Sequence, residues 1–222
     1  MLSNLTFVVS DKTCIKNPVE SELGRRILLE SIHLLDEIGL EQFTFRKLAI
    51  KIGSAEASIY RYFENKHKLL LYLVNWYWGW LENRILVKTI GQPSNSQKLE
   101  TAIELLASPI VQDTNIEYIN EEKLYRIIIS EGPKAYLIKE VDEENLEGVF
   151  LGYKGLCSII ASFILAINPN YKHANSLAST IVETCHSQIF FSQHLPRLTN
   201  LKEDDHSSLK DFVLHLTTST IQ

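Results

Sequence analysis

Apolar positions recur three and four residues apart along most of the chain, the spacing that marks one face of an α-helix. Ile27, Ser31, Leu34, Leu35 and Ile38 form the first such stripe. Glu20 and Glu22 precede it, where acidic groups favour a helix N-terminus, and Gly39 closes it. A first helix over 20–38 is therefore expected. Thr44 is placed to cap a second helix, carrying Leu48, Ala49 and Ile52 and stopped by Gly53, because glycine takes the left-handed conformation cheaply. A third, over 56–63, would bury Ile59 and Phe63 one turn apart. Asn65 would cap a fourth reaching about residue 90, roughly 37 Å at 1.5 Å per residue. On it Leu69, Leu73, Trp76 and Trp80 make a seam with Trp78 on the opposite face.

Beyond the turn-rich stretch 91–97 the pattern predicts helices over 99–108, 121–130, 133–140, 145–167, 174–194 and 207–218, separated by Pro, Gly and polar breaks. The fold class is all-α, with no internal repeat. The one alternating stretch, Leu5, Phe7 and Val9, is a single isolated strand pattern, which is not stable alone. Residues 1–19 therefore read as a mobile arm, with Lys12 and Lys16 its only support for a minor-groove contact. Stretches 149–167 and 177–191 are apolar on most faces, so they are central in their own body or covered by a partner chain. Ile160, Ile164, Ile181 and Ile189 are the candidates for that partner interface.

Charge sharpens this picture. Between Thr44 and Lys68 lie Arg46, Lys47, Lys51, Arg61, Lys66 and Lys68 against Glu56 and Glu64, a net of +4 within a chain whose formal charge is −5. Two short helices joined by a tight glycine turn make a helix-turn-helix pattern, and a basic island on it is the footprint of a nucleic-acid-binding module. A solvated basic face on an ordinary bundle would look the same by charge alone.

Catalytic chemistry finds no such support. Cys185 and His186 are adjacent, so on a helix their side chains diverge by about 100°. The acidic runs 121–122, 142–144 and 203–205 read as solvated loops or helix starts, and His33, His173, His194, His206 and His215 are scattered. There is no phosphate-binding loop, dinucleotide fingerprint or zinc-protease motif. The expectation is a non-enzyme with no metal and no cofactor. Three dispersed cysteines suit a reducing cytoplasm, no secretory leader is evident, and the most apolar run, 69–81, is too short to span a bilayer.

Residues 23–74, with the first helix ending in Gly39, then TFRKLAIKIG, then SIYRYFENKHKLL, resemble the tetracycline-repressor (TetR) family of bacterial transcription regulators. The resemblance rests on the small-residue turn, the aromatic cluster Tyr60, Tyr62 and Phe63, and Lys66 at the next helix start. It implies an arm over 1–19, a three-helix DNA-binding domain over 20–70, and a helical-bundle ligand-binding and dimerisation domain over 71–222. It also implies a homodimer on a pseudo-palindromic double-stranded operator, released by a small-molecule effector. Thr44, Tyr60, Tyr62 and Lys66 would hold phosphates, and Arg46 would reach a guanine edge. Glu56, Ala57 and Arg61 would lie on or beside the groove-facing surface. An apolar effector would contact Trp76 or Trp80, with Tyr77, Tyr125, Phe163 and His186 as company. The chain departs from the family pattern at Ala55, where Ser or Thr usually caps the recognition helix, and at Glu56, where a basic or amide group is frequent. Glu56 leaves open a helix-turn-helix module that binds protein instead of DNA. A small-molecule-binding or catalytic protein using only its C-terminal body also stays open.

Overall fold

The computed structural model describes Val9 and residues 11–112, 116–203 and 205–221, and among these it contains ten α-helices and no strand. The expected Leu5–Phe7–Val9 alternation falls largely on residues outside this set. The chain divides into two units, the described residues of Met1–Gly79 with Ile110–Gly152, and those of Trp80–Pro109 with Tyr153–Gln222.

In the first unit α1 (Glu22–Gln42) starts at Ser21, whose hydroxyl accepts from the Gly24 amide. It runs past the expected stop, because Gly39 (φ 70°) kinks the helix and the chain resumes one more turn. α2 (Phe45–Ile52) is capped by Thr44 Oγ1, which accepts from the Lys47 amide, and ends at Gly53 in the left-handed region. α3 is shorter than expected, Glu56–Tyr60. α4 (Lys66–Thr89) begins where Asn65 Oδ1 accepts from the Lys68 amide and passes into the second unit at Gly79–Trp80. Ile27, Leu28, Phe43, Leu48, Ile59 and Phe63 are wholly buried, so α1–α3 share one small core worth about 1.5–3 kcal/mol per large apolar side chain.

Two parts of this unit depart from the sequence expectation. Residues 11–19 are docked: Thr13 and Pro18 are buried, two 3-10 turns form (Asp11–Thr13 and Pro18–Glu20), and the Ile15 amide donates to the Tyr62 carbonyl. Asn17, Pro18 and Ser21 supply turn and cap chemistry that a reading for helical stripes passes over. Residues 110–152 belong here rather than to a separate body, because α6 (Glu121–Glu131) packs on α1. There Arg126 clasps Asp36 with two bonds of 2.8 Å. The expected helix 133–140 is only a 3-10 turn, Gly132–Ala135. The expected helix 145–167 is split into α7 (Val141–Leu146) and α8 (Leu151–Ile167) by Gly148 at φ 77°.

The second unit comprises the end of α4, α5 (Asn95–Ala107), α8, α9 (Ala174–His194) and α10 (His206–Ile221). Ile160, Ile164 and Ile181 are fully buried and Ile189 nearly so. These four isoleucines face the unit's own core, not a surface available to a partner, because the apolar stripes of α8 and α9 serve intrachain packing. The tryptophan seam is corrected likewise. Every residue from Leu69 to Trp78 is buried, so Trp78 is as enclosed as Trp76 and Trp80.

Candidate nucleic-acid interface

The surface offered by α2 and α3 follows from which of their residues the small core consumes. Ile52, Ile59, Tyr62 and Phe63 turn inward. Arg46, Lys47, Ala55, Ala57, Tyr60 and Arg61 remain exposed, and Glu56 is half-buried. Tyr60 stands edge-on to Phe45 with ring centres 5.0 Å apart, which braces its ring while leaving it about half exposed. Ala55 makes no side-chain cap, so the first amides of α3 are not closed off by a side chain of their own helix. Three exposed cations, an aromatic ring and open amides are groups that position a phosphate backbone. The Ala and Glu positions are the ones that would face base edges.

Several candidates have other work. Tyr62 is buried and its hydroxyl bonds Ser21 Oγ at 2.7 Å. Lys66 Nζ donates to the Leu40 carbonyl at 2.9 Å and to those of Glu41 and Phe43 at 3.4 Å. Lys51 pairs with Glu30 and Glu37 of α1, and Lys68 with Glu144. The cationic surface of the island therefore narrows to Arg46 and Arg61, with Lys47 exposed but donating from Nζ to the Gln42 carbonyl at 2.8 Å. Further cations of the first unit are exposed, Lys16 of the arm among them. Lys16 lies 5.5 Å from the Tyr62 ring centre, at the end of α3, and Arg25 and Arg26 are exposed on the first turn of α1. The arm's docking could not be read from periodicity, so Lys16 had no assigned neighbour.

Elsewhere in the first unit a cleft of about 460 Å³ lies between the start of α4 and α7. Its buried Glu144 carboxylate accepts from Lys68 and contacts His67 Nε2 at 3.2 Å. Among the described residues no group of three His, Cys, Asp or Glu is arranged to hold a metal ion. Also among them, no helix is long and apolar enough to cross a membrane.

The expected effector residues fall in both units. Within the first, Tyr77 stacks on Tyr125 with centroids 6.2 Å apart, and Trp76 is buried. Within the second, the Arg84 guanidinium lies 4.7 Å over Trp80, and Phe163 is half-buried. His186 is enclosed in the same unit, where burial pushes its pKa down to about 4. Burial also lifts the Cys157 and Cys185 thiols, to about 11 and about 12, which makes both poor nucleophiles at neutral pH. A cavity of about 430 Å³ opens instead among Ser96 and Leu99 of α5, Ile167 and Asn168, and Leu214, Thr218 and Ile221 of α10. Only the convergence of three helix ends reveals it, and no linear pattern carries that.

Residues 27–73 match the model of the bacterial regulatory proteins of the tetR family. The helix-turn-helix segment of this chain is thus similar to that family's DNA-binding region, over about a fifth of the chain. No curated protein matches the chain in sequence. Solved structures share its fold. FadR from Bacillus subtilis, in complex with stearoyl-CoA, is 20% identical with a TM-score of 0.61, over 89% of this chain and 98% of that one. AibR, in complex with isovaleryl coenzyme A and operator DNA, is 14% identical with a TM-score of 0.59, over 86% and 97%. Superantigen PfiT is 14% identical with a TM-score of 0.58, over 92% and 98%. At these identities the all-helical fold is what is shared, and function has to be argued from the site.

Proposed function

We propose that this chain is a sequence-specific DNA-binding transcriptional regulator that acts as a homodimer on a pseudo-palindromic operator and is released by a small-molecule effector. The observation that carries the reading is the exposed Arg46, Lys47, Tyr60 and Arg61 surface on the TetR-like α2–α3 pair. In a dimer, two copies of α3 would enter successive major grooves, with Thr44, Tyr60 and Arg61 on the backbone, Arg46 at a guanine edge, and Glu56 and Ala57 toward the bases. α4 starts directly after this surface and runs into the second unit, so an effector that favours one position of α4 has a covalent path to α3.

Two of the structural neighbours were solved with acyl-coenzyme A thioesters, which makes this the first ligand class to screen. The cavity beside Leu99, Ile167, Leu214 and Ile221 suits an apolar group of limited size. The test of the reading is fluorescence anisotropy with a labelled mixed-sequence duplex. Binding weakens steeply as salt rises, and Arg61→Ala flattens the log–log slope by about one per protomer. Salt-insensitive binding, or none at low salt, contradicts it. The protein-binding alternative is favoured by Glu56, and loss of all DNA affinity with the fold intact would support it.

A further inference from the structure

The elbow between α1 and α2 is gripped from two sides by charged groups of distant helices. Gly39, at φ 70°, ends the regular part of α1. The two peptide units flanking Leu40 are then held from different elements. The Leu40 amide donates to Glu131 Oε1 of α6 at 3.1 Å, a buried bond. The Leu40 carbonyl accepts from Lys66 Nζ of α4 at 2.9 Å, and the same ammonium reaches the carbonyls of Glu41 and Phe43. Glu131 Oε2 is in turn paired with Lys134 Nζ at 2.7 Å, and Lys134 lies 3.6 Å from Glu41. Gly39 leaves room for the carboxylate, since a Cβ there would lie 3.2 Å from Glu131 Oε1.

The last carbonyls of a helix have no partner within it, and a cation there is favourable. A lysine pointing its three protons at three such carbonyls is committed to the protein rather than to a phosphate. The next residue after these carbonyls is Thr44, the cap of α2. The direction in which the chain leaves the elbow therefore sets the angle of α2 and, through the Gly53 turn, that of α3.

We propose that Lys66 and Glu131 are positioning residues for DNA reading, which clamp the Gly39–Phe43 elbow and so fix the orientation of the α2–α3 pair, and that Lys66 is not a phosphate ligand. The proposal rests on the DNA-binding reading above. Lys66→Met removes the donors and keeps most of the stem, and Lys66→Arg restores a cation at the same place. Glu131→Ala removes the acceptor of the Leu40 amide, whereas Glu131→Gln keeps one.

Glu131 gives the clearer sign. Removing an anion from a DNA-binding protein tightens binding by charge alone, whereas loosening the elbow weakens it. The experiment measures the dissociation constant of a selected operator against salt for these variants of the full chain, with melting curves to confirm folding. It also follows amide hydrogen exchange over Leu40–Thr44 without DNA. The expected result for Lys66→Met and Glu131→Ala is a loss of about tenfold at fixed salt, the scale of one charged hydrogen bond. The salt slope should match that of the unaltered protein, exchange across the elbow should be faster, and Lys66→Arg and Glu131→Gln should restore most of both. A slope lowered by about one per protomer in Lys66→Met would make Lys66 a phosphate contact and overturn the proposal. Tighter binding in Glu131→Ala, or elbow exchange unchanged in both variants, would overturn it as well. The exchange measurement needs no DNA, so it separates failure of the clamp from failure of the DNA-binding reading.

Discussion

Glu56 and His186 show how single residues carry testable chemistry here. Glu56 is half-buried on α3, between the exposed Ala55 and Ala57. A carboxylate there repels phosphate but accepts from a cytosine amino group. Glu56→Gln should raise affinity for mixed-sequence DNA and change the preferred base at one position in each half-site, both read by selection and anisotropy. An unchanged motif and affinity would take Glu56 off the groove. His186 is enclosed and its folded pKa lies near 4, below the ordinary 6.5. The unfolded chain therefore takes up this proton first as pH falls. The neutral folded form has its full stability above about pH 6.5 and loses it progressively towards pH 4, by on the order of 3 kcal/mol. The melting temperature should fall with acid over that window, and less so in His186→Leu. Parallel pH dependences in the two proteins would contradict the assignment.

At the scale of elements, what was local in the chain was legible. Thr44, Gly53 and Asn65 act where their side-chain and backbone preferences place them, and α9 spans Ala174–His194 as its stripe indicates. Gly53 sits at φ 60° with open space around its missing Cβ. Gly53→Ala should therefore cost about 1–2 kcal/mol through backbone strain alone, with Gly53→Asn milder, as measured by denaturant unfolding. Equal stability of the alanine variant would contradict the left-handed turn. What depended on distant partners was not legible. The docking of residues 11–19 and the Glu131 grip on Leu40 join positions far apart in sequence, and neither leaves a periodic trace. Tyr62 and Lys66 have the chemistry of phosphate ligands, yet Ser21 and the Leu40 carbonyl claim them. The α7–α8 break hung on one glycine, Gly148, in a run apolar enough to look continuous.

For the whole molecule, Ile160, Ile164, Ile181 and Ile189 are spent on intrachain packing, whereas Leu151, Leu165 and Ile167 of α8 stay exposed. Ile181→Asp should therefore abolish cooperative folding of the second unit, at a cost above about 3 kcal/mol, rather than yield folded monomers. Calorimetry distinguishes these outcomes, and a folded, monomeric variant would put Ile181 back at an interface. The dimer is then expected on the sides of the second unit that these isoleucines leave exposed. Sedimentation at micromolar concentration should give twice the 25.4 kDa chain mass, and a monomer would contradict the dimer.

The central claim, that two α3 helices of one dimer read a two-fold operator, is met most directly by selecting bound duplexes from a random pool at low salt. The expected result is an enriched pseudo-palindrome whose half-site centres lie about 10 bp or a multiple apart. Recovery of no enriched motif, or of a single unpaired half-site, would contradict it.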